Sequence, residues 1–434
     1  MTPQSTFMIL AEIREGEIDA LRDLLAGMNR IEGIADPENP LLPFGQFERL
    51  HVARFVILEA ETAEEMRHHG REPYPWRPSL VFLGDCDGKS RYFLDQLARR
   101  AADGLQQIFS HCVGFDPDRD DLLTWMSGRN ITPKANYINW IGRTVQQVRE
   151  EEALQRSLAA YLPRAIEEVG RGNARALRQK LLTHVELERD AGRLQLSPPE
   201  PTPKLWWLGN LLHKLGMPSV LLLLAPLLLL SAPFLILRLR MLERSDPEIV
   251  IRPGRAHIAR LSVLEDLDVT NHFNVLGDVK PGLFRLSLLK FLLLTLDYAS
   301  RHVYNHGYLT RVKTIHFARW VLLDNDRRLY FASNYDGSLE GYMDDFINKV
   351  AWGLNLVFSN GVGYPRTSWL IKQGAAREQQ FKYTLRRHQL PSEVWYKAYP
   401  GLTAFDLVRN SRIRQGVERR QSSDRAIREW LGLI

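Results

Sequence analysis

Two short clusters of residues able to move protons or hold charge each occur twice in this chain. The first is His51-x-Ala53-Arg54, which returns as His316-x-Ala318-Arg319; the second is Asp87-Gly88, which returns as Asp336-Gly337. A histidine can give or take a proton near neutral pH, an arginine can stabilise negative charge, and a carboxylate can partner either. On that reading Asp87, Arg54, Arg319 and Asp336 are the candidate catalytic groups. Their spacing limits how they can combine. In an extended strand His51, Ala53 and Phe55 share one face while Arg54 and Val56 share the other, so the histidine and arginine of one copy point apart. His51 and Arg319, from different copies, can meet. Because both copies keep the set, the competing reading is a structural Arg–Asp pair that pins each strand to the following turn. A third cluster, Glu61, Glu64, Glu65, His68 and His69, contains one i, i+3 pair (Glu65 and His68) that could ligate a metal on a helix. Pro73, Pro75 and Pro78 mark that stretch as a solvated surface loop.

The elements that position these residues also come in two copies. The histidine strands lie 265 residues apart and the Asp-Gly turns 249 apart, the difference falling on an insertion from Glu59 to Pro78. Beyond the turns the register holds: Phe109-Ser110, Val113-Gly114 and Phe115 fall on Phe358-Ser359, Val362-Gly363 and Tyr364. Hydrophobic periodicity predicts strands at Thr6–Ile13, His51–Leu58, Ser79–Gly84 and Ala135–Ile141, with helices at Glu15–Met28 and Tyr92–Phe109. The second copy repeats that order from His272 to Tyr399. Each copy therefore reads βαββαβ, the ferredoxin-like split unit. A sheet with both helices on one side leaves its other face open, and two such faces bury each other. The expected fold is α+β: two tandem ferredoxin-like units (1–148 and 246–408) forming an intramolecular α/β barrel or sandwich. A charged helical segment and Pro-rich linker (149–204), a hydrophobic segment (205–245) and an Arg-rich tail (409–434) complete the chain.

The hydrophobic segment holds a run from Ser219 to Leu237 with no charged residue, long enough as a helix to approach the ~30 Å of bilayer hydrocarbon. Trp206, Trp207 and Lys214 precede it; Arg238, Arg240 and Arg244 follow. A single crossing would put the two copies on opposite sides of a membrane, where they could not pack together. Pro226 and Pro233 break or kink a helix. The expectation is a monotopic or re-entrant segment on the cytoplasmic face of a membrane, with membrane lipid or another apolar small molecule as partner. A net charge of +6 permits attraction to anionic surfaces, and no nucleic-acid-binding module is visible. Cys86 and Cys112 form no zinc spacing and no disulfide framework, which suits a reducing compartment. No basic-then-apolar leader stands at the N-terminus.

Gly84-x-x-Asp87-Gly88 in the first of two ferredoxin-like units resembles the dye-decolourising peroxidases, a haem-binding branch of the dimeric α/β-barrel superfamily. The resemblance implies that Asp87 acts on the distal side with peroxide, helped by Arg54 or Arg319, and that a histidine of the second unit ligates iron. His257, in Ala256-His257-Ile258, is similar to the local pattern round that ligand. His316 and His306 are alternatives, and His51 is a further cofactor-binding candidate. The likeness covers five motif residues and the element order; Lys89-Ser90-Arg91 departs from the family pattern after the motif. The functional expectation is an apolar pocket in which haem or oxygen chemistry acts on a lipid-like substrate. The alternative is a non-catalytic lipid-binding or scaffold protein at the membrane surface.

Overall fold

The computed structural model describes all 434 residues except 60–61, 171 and 420–422. The fold is α+β and is built on two four-stranded antiparallel sheets. The strands are β1 (Gln4–Glu12), β2 (Leu50–Leu58), β3 (Ser79–Asp87), β4 (Ala135–Ile138), β5 (Thr270–Asp278), β6 (Ile315–Leu323), β7 (Arg328–Asp336) and β8 (Val394–Lys397). The first sheet has the order β1-β3-β2-β8 and the second β4-β6-β7-β5. Two further two-stranded sheets are small surface ribbons at residues 29–35 and 367–373.

The sheet orders correct one expectation. Each half sends its last strand to the other sheet: Ala135–Ile138 pairs with Phe317–Trp320, and Val394–Lys397 pairs with Val52–Phe55. Neither half therefore completes a sheet alone, and backbone hydrogen bonds tie the two together. A second correction concerns closure. Among the described residues no sheet closes into a barrel; the two lie face to face. Met8, Val56, Val81 and Leu83 of the first sheet share one core with Leu276, Val321, Tyr330 and Ala332 of the second. Each such side chain contributes about 1.5–3 kcal/mol on burial. The opposite faces bury Phe55 and Phe82 on one side, and Trp320 and Phe331 on the other, under helices.

The helices of eight residues or more are α1 (Ile18–Ala26), α2 (Ser90–Arg100), α3 (Ala102–Phe109), α4 (Val145–Val169), α5 (Ala174–Asp190), α6 (Lys204–Ser245), α7 (Arg255–Val263), α8 (Leu283–His302), α9 (Leu339–Phe358), α10 (Glu378–His388), α11 (Ala404–Glu418) and α12 (Asp424–Leu431). The single helix expected over Tyr92–Phe109 is broken at Ala101 (φ −133°, ψ 32°), and α9 kinks at Val350 (φ −144°, ψ 26°). Those two positions are again 249 residues apart. The Arg-rich tail packs with α4 and α5: Ile413 and Trp430 join Leu154, Leu158 and Leu181 in one core, and Arg414 is buried. Arg420 lies outside the described residues. The stretch read as a solvated loop holds a short helix, Ala63–His68, whose Glu65 is buried against His388 and Arg387. Glu61 lies outside the described residues.

Helix α6 absorbs Pro218, Pro226 and Pro233 without ending. Its richest 18-residue window has a mean hydropathy of 2.7, and none of that window is buried. Both ends are nevertheless held. Near the start, Arg301 Nε donates to Asn210 Oδ1 at 2.7 Å, Tyr298 Oη donates to the Lys214 carbonyl at 3.0 Å, and His213 pairs with His302 at 2.8 Å. At the other end, buried Glu243 accepts from Thr367 Oγ1 and from the Trp369 and Leu370 amides, while Asp246 just beyond the helix accepts from Lys280 and Arg285. From Asn210 to Asp246 a straight helix runs about 54 Å, whereas α8 from Arg285 to Arg301 runs about 24 Å. Stretched side chains at the two ties add at most about 24 Å more, so α6 bows. Its prolines, eight and seven residues apart, each remove one hydrogen bond of the helix and so mark the places where it can curve.

Candidate functional site

The repeated residues converge in the space between the sheets, through a feature that simple alternation does not predict. β2 carries one extra residue between Leu50 and Val52, and β6 carries one between Ile315 and Ala318. A bulge of this kind re-aims one side chain without disturbing the rest of the strand. Leu50 and Ala53 consequently both face the helices, as do Ile315 and Ala318. The bulged His51 is turned toward Phe317 of the opposite sheet, ring centroids 5.5 Å apart. The histidine and arginine of one copy thus do reach the same layer.

Each histidine pairs with the aspartate of its own copy. His51 Nε2 lies 2.9 Å from Asp87 Oδ1, and His316 Nε2 lies 2.6 Å from Asp336 Oδ1. The second oxygen of each carboxylate accepts the first amide of the helix that follows the exchanged strand: Val145 N to Asp87 at 2.9 Å, and Ala404 N to Asp336 at 2.7 Å. Those amides have no partner within a helix, and the positive helix end favours an anion there. Thr144 and Thr403 cap the same two helices. Burial would raise the Asp336 carboxyl, but His316, Thr270 and the Ala404 amide outweigh it and hold it below the usual Asp value. Gly88 and Gly337, at φ +82° and +85°, make the turns that a side chain would strain. Gly84 answers to packing instead: a Cβ there would stand 2.5 Å from the Val52 carbonyl oxygen and 2.7 Å from the Phe7 ring.

The arginines cross from sheet to sheet. Arg54 donates to the Phe273 and Ser333 carbonyls and to the side chains of Asn274 and Asn334. Arg319 donates to the Phe7 and Gly84 carbonyls and to Asp85. Facing sheets stand ~10 Å apart, a gap that few side chains other than arginine can cross and still fork onto two carbonyls. The expected Arg–Asp pair within each copy is therefore replaced by a His–Asp pair within the copy and an arginine strut between copies. Burial lowers Arg54 to about 10, with Arg319 acting in the same direction. Burial raises Asp85 despite Arg319, and lowers His272 to about 3.

Several partners were not among the residues the sequence singled out. Asp85 and Asn334 occupy equivalent places 249 residues apart, so the repeat itself carried that signal. Tyr399, 3.1 Å from His51 Nδ1, and Lys397, bonded to Thr270, arrive on or beside strand β8, which was expected near Glu393–Tyr399 but whose exchange into the other sheet had no signal. Burial lowers Lys397 to about 8. His257 lies apart from this layer on α7, its Nε2 donating to the Arg386 carbonyl at 2.9 Å. His68 bonds the Glu64 carbonyl, so Glu65 and His68 do not converge.

These histidines do not fit a haem. The cavity that His51 and His316 share, with Arg143 and Tyr399, is about 20 Å³, space for one or two waters. His51 uses both ring nitrogens, on Tyr399 and Asp87, and His257 is not in the cavity wall. A cleft of about 560 Å³ has only Asp87 of the set in its wall, among Arg49, Glu150, Glu151 and Arg414. What the arrangement does chemically is bind its own backbone: two carboxylates and two guanidiniums satisfy strand carbonyls and helix amides that burial would otherwise leave unpaired. No family model, no curated protein and no solved structure matches this chain.

Proposed function

We propose that this chain is a monotopic membrane-surface protein in which two ferredoxin-like halves with exchanged last strands form a rigid platform, and α6 is its lipid anchor. The observation that carries the reading is a 42-residue helix, tied to the platform at both ends, whose apolar middle has no buried residue. Exposed contiguous apolar surface of that extent marks contact with lipid or with another apolar surface. Bowing brings both basic ends, Lys204 and Lys214 at one and Arg238, Arg240 and Arg244 at the other, to one level, where anionic head groups would meet them. α8 adds Leu283, Phe291 and Leu294, all exposed.

Lipid binding or scaffolding at the surface is favoured over oxidative catalysis, because each of the duplicated His, Arg and Asp residues is bonded to the strands and helices around it. The test is extraction and flotation. The protein should resist alkaline carbonate extraction and float with vesicles containing anionic lipid. Replacing Leu222, Leu223, Leu229 and Leu230 with Asn should release it while leaving the platform's thermal unfolding in place. A wild-type protein that stays in the aqueous fraction refutes the anchor.

A further inference from the structure

A cavity of about 380 Å³ opens where the two sheets expose their edge strands β1 and β4, between the start of α6 and the last turns of α8. Its volume is in the range of small-molecule sites. Trp206 of α6 forms part of the wall, and the exposed Leu205, Trp207 and Leu208 continue the apolar surface of α6 to its mouth. Resting on the membrane-anchor reading above, we propose that this cavity takes the head group of a zwitterionic phospholipid bearing a primary amine, with phosphatidylethanolamine chemistry.

The polar groups in the wall divide into two sets that match such a head group. Asp297, Ser300 and Arg301 stand at i, i+3 and i+4 on α8 and so share one helical face. Asp297 Oδ1 accepts the Asn136 amide at 3.2 Å, and its second oxygen has no protein partner among the described residues. Asn136 Oδ1 is buried and unpartnered, and Ser300, 1% exposed, has an unpartnered Oγ. A carboxylate oxygen with two orphaned acceptor atoms in one cavity asks for a compact cation with several N–H donors, which a primary ammonium supplies. Among the described residues Arg301 bonds through its Nε alone, to Asn210, leaving the two Nη nitrogens as a fork for a phosphate. Burial raises the Asp297 carboxyl above the usual Asp value, and the Asn136 amide, His213 and Arg301, which act the other way, do not fully offset it. A trimethylated choline head group has no N–H to give and would leave the same three acceptors unpaired.

The experiment uses the full chain in mild detergent, titrated with dihexanoyl-phosphatidylethanolamine, dihexanoyl-phosphatidylcholine and free O-phosphoethanolamine, and read by calorimetry and thermal shift. The ethanolamine lipid should bind saturably and at least about tenfold more tightly than the choline lipid, since hydrogen bonds to a charged group are at stake. Asp297→Asn and Arg301→Gln should each weaken it by at least about tenfold. Ser300→Ala, which removes an acceptor that has no partner to lose, should weaken the ethanolamine lipid and leave the choline lipid unchanged, and it keeps the test sharp if the charged variants fail to fold. Equal affinity for the two lipids overturns the inference, as do unchanged variants. Free phosphoethanolamine binding as tightly as the lipid overturns the assignment to a membrane component. Flotation on vesicles without any head-group preference sinks this inference and leaves the anchor standing; failure to float on any vesicle sinks the anchor.

Discussion

Asp85 and Asn334 occupy equivalent positions in the two halves, yet only Arg319 receives a carboxylate; Arg54 receives an amide. Asp85→Asn would leave two buried guanidiniums between the sheets without the one carboxylate that faces them. Removing one partner of a buried pair costs about 3–5 kcal/mol. For a chain of 434 residues that corresponds to a fall of roughly 3–6 °C in unfolding temperature. Asn334→Asp supplies the missing charge from the other side. It sits on Arg54 Nη2 and replaces an amide nitrogen that has no partner. The double variant moves the carboxylate from one half to the other, and the pseudo-twofold arrangement predicts that it recovers most of the loss, to within about 1–2 kcal/mol of wild type. Thermal unfolding of the four proteins in one detergent measures this. The reasoning fails if Asp85→Asn unfolds like wild type, or if the double variant is no more stable than Asp85→Asn.

Three further outcomes follow from the same layer and its neighbours. Asp87→Asn and Asp336→Asn each weaken one histidine bond and one helix-start amide, so both should destabilise by a similar amount, about 1–3 kcal/mol, in thermal unfolding; a large effect of one alone would mark that copy as functional. The Asp336 carboxyl is held below its ordinary value of 3.8, so the unfolded chain binds the proton first on acidification. Its contribution is present above that value and is lost as pH falls through the lower, folded one, and Asp336→Asn should flatten that acid limb. His302 is lowered to about 4 by burial and by His213, so the form in which the two rings are bonded takes up a proton less readily than a released one. Between the ordinary histidine value and about 4, acidification should loosen this tie, seen as lower protection factors (exchange divided into its intrinsic rate at each pH) in residues 205–214 at pH 5 than at pH 7; equal protection would refute it.

The repeat made the strands and turns legible, because Asp-Gly punctuation and matched apolar runs survive in both copies. It did not show which sheet the last strand joins. Ala135–Ile138 and Val394–Lys397 present the same four-residue edge to either half, and their distance from the preceding helix allows both routes. Strand alternation misplaced His51 and His316, since a one-residue bulge leaves no mark in composition. The interruption at Ala101 and Val350 was equally silent, because neither residue breaks a helix by its own nature. Pro226 and Pro233 signalled a break or kink, yet the helix runs on through both, as it does through Pro218. The arginines were found by their recurrence, but their partners lay in the opposite copy, where only the equivalence of residues 85 and 334 could have pointed.

The central claim is that both ends of α6 lie on one side of a membrane. Cys86 and Cys112 are buried, and burial pushes both thiols up to about 12, so they are poor targets for a maleimide. Leu205 and Met241 are exposed near the two ends of the helix. Leu205→Cys and Met241→Cys, made singly in the full chain and treated with a membrane-impermeant maleimide in sealed vesicles, report their sides directly. The bowed anchor predicts that both label from the same side. Labelling of one from outside and of the other only after the vesicles are opened would mean that α6 crosses the bilayer, and would contradict the account.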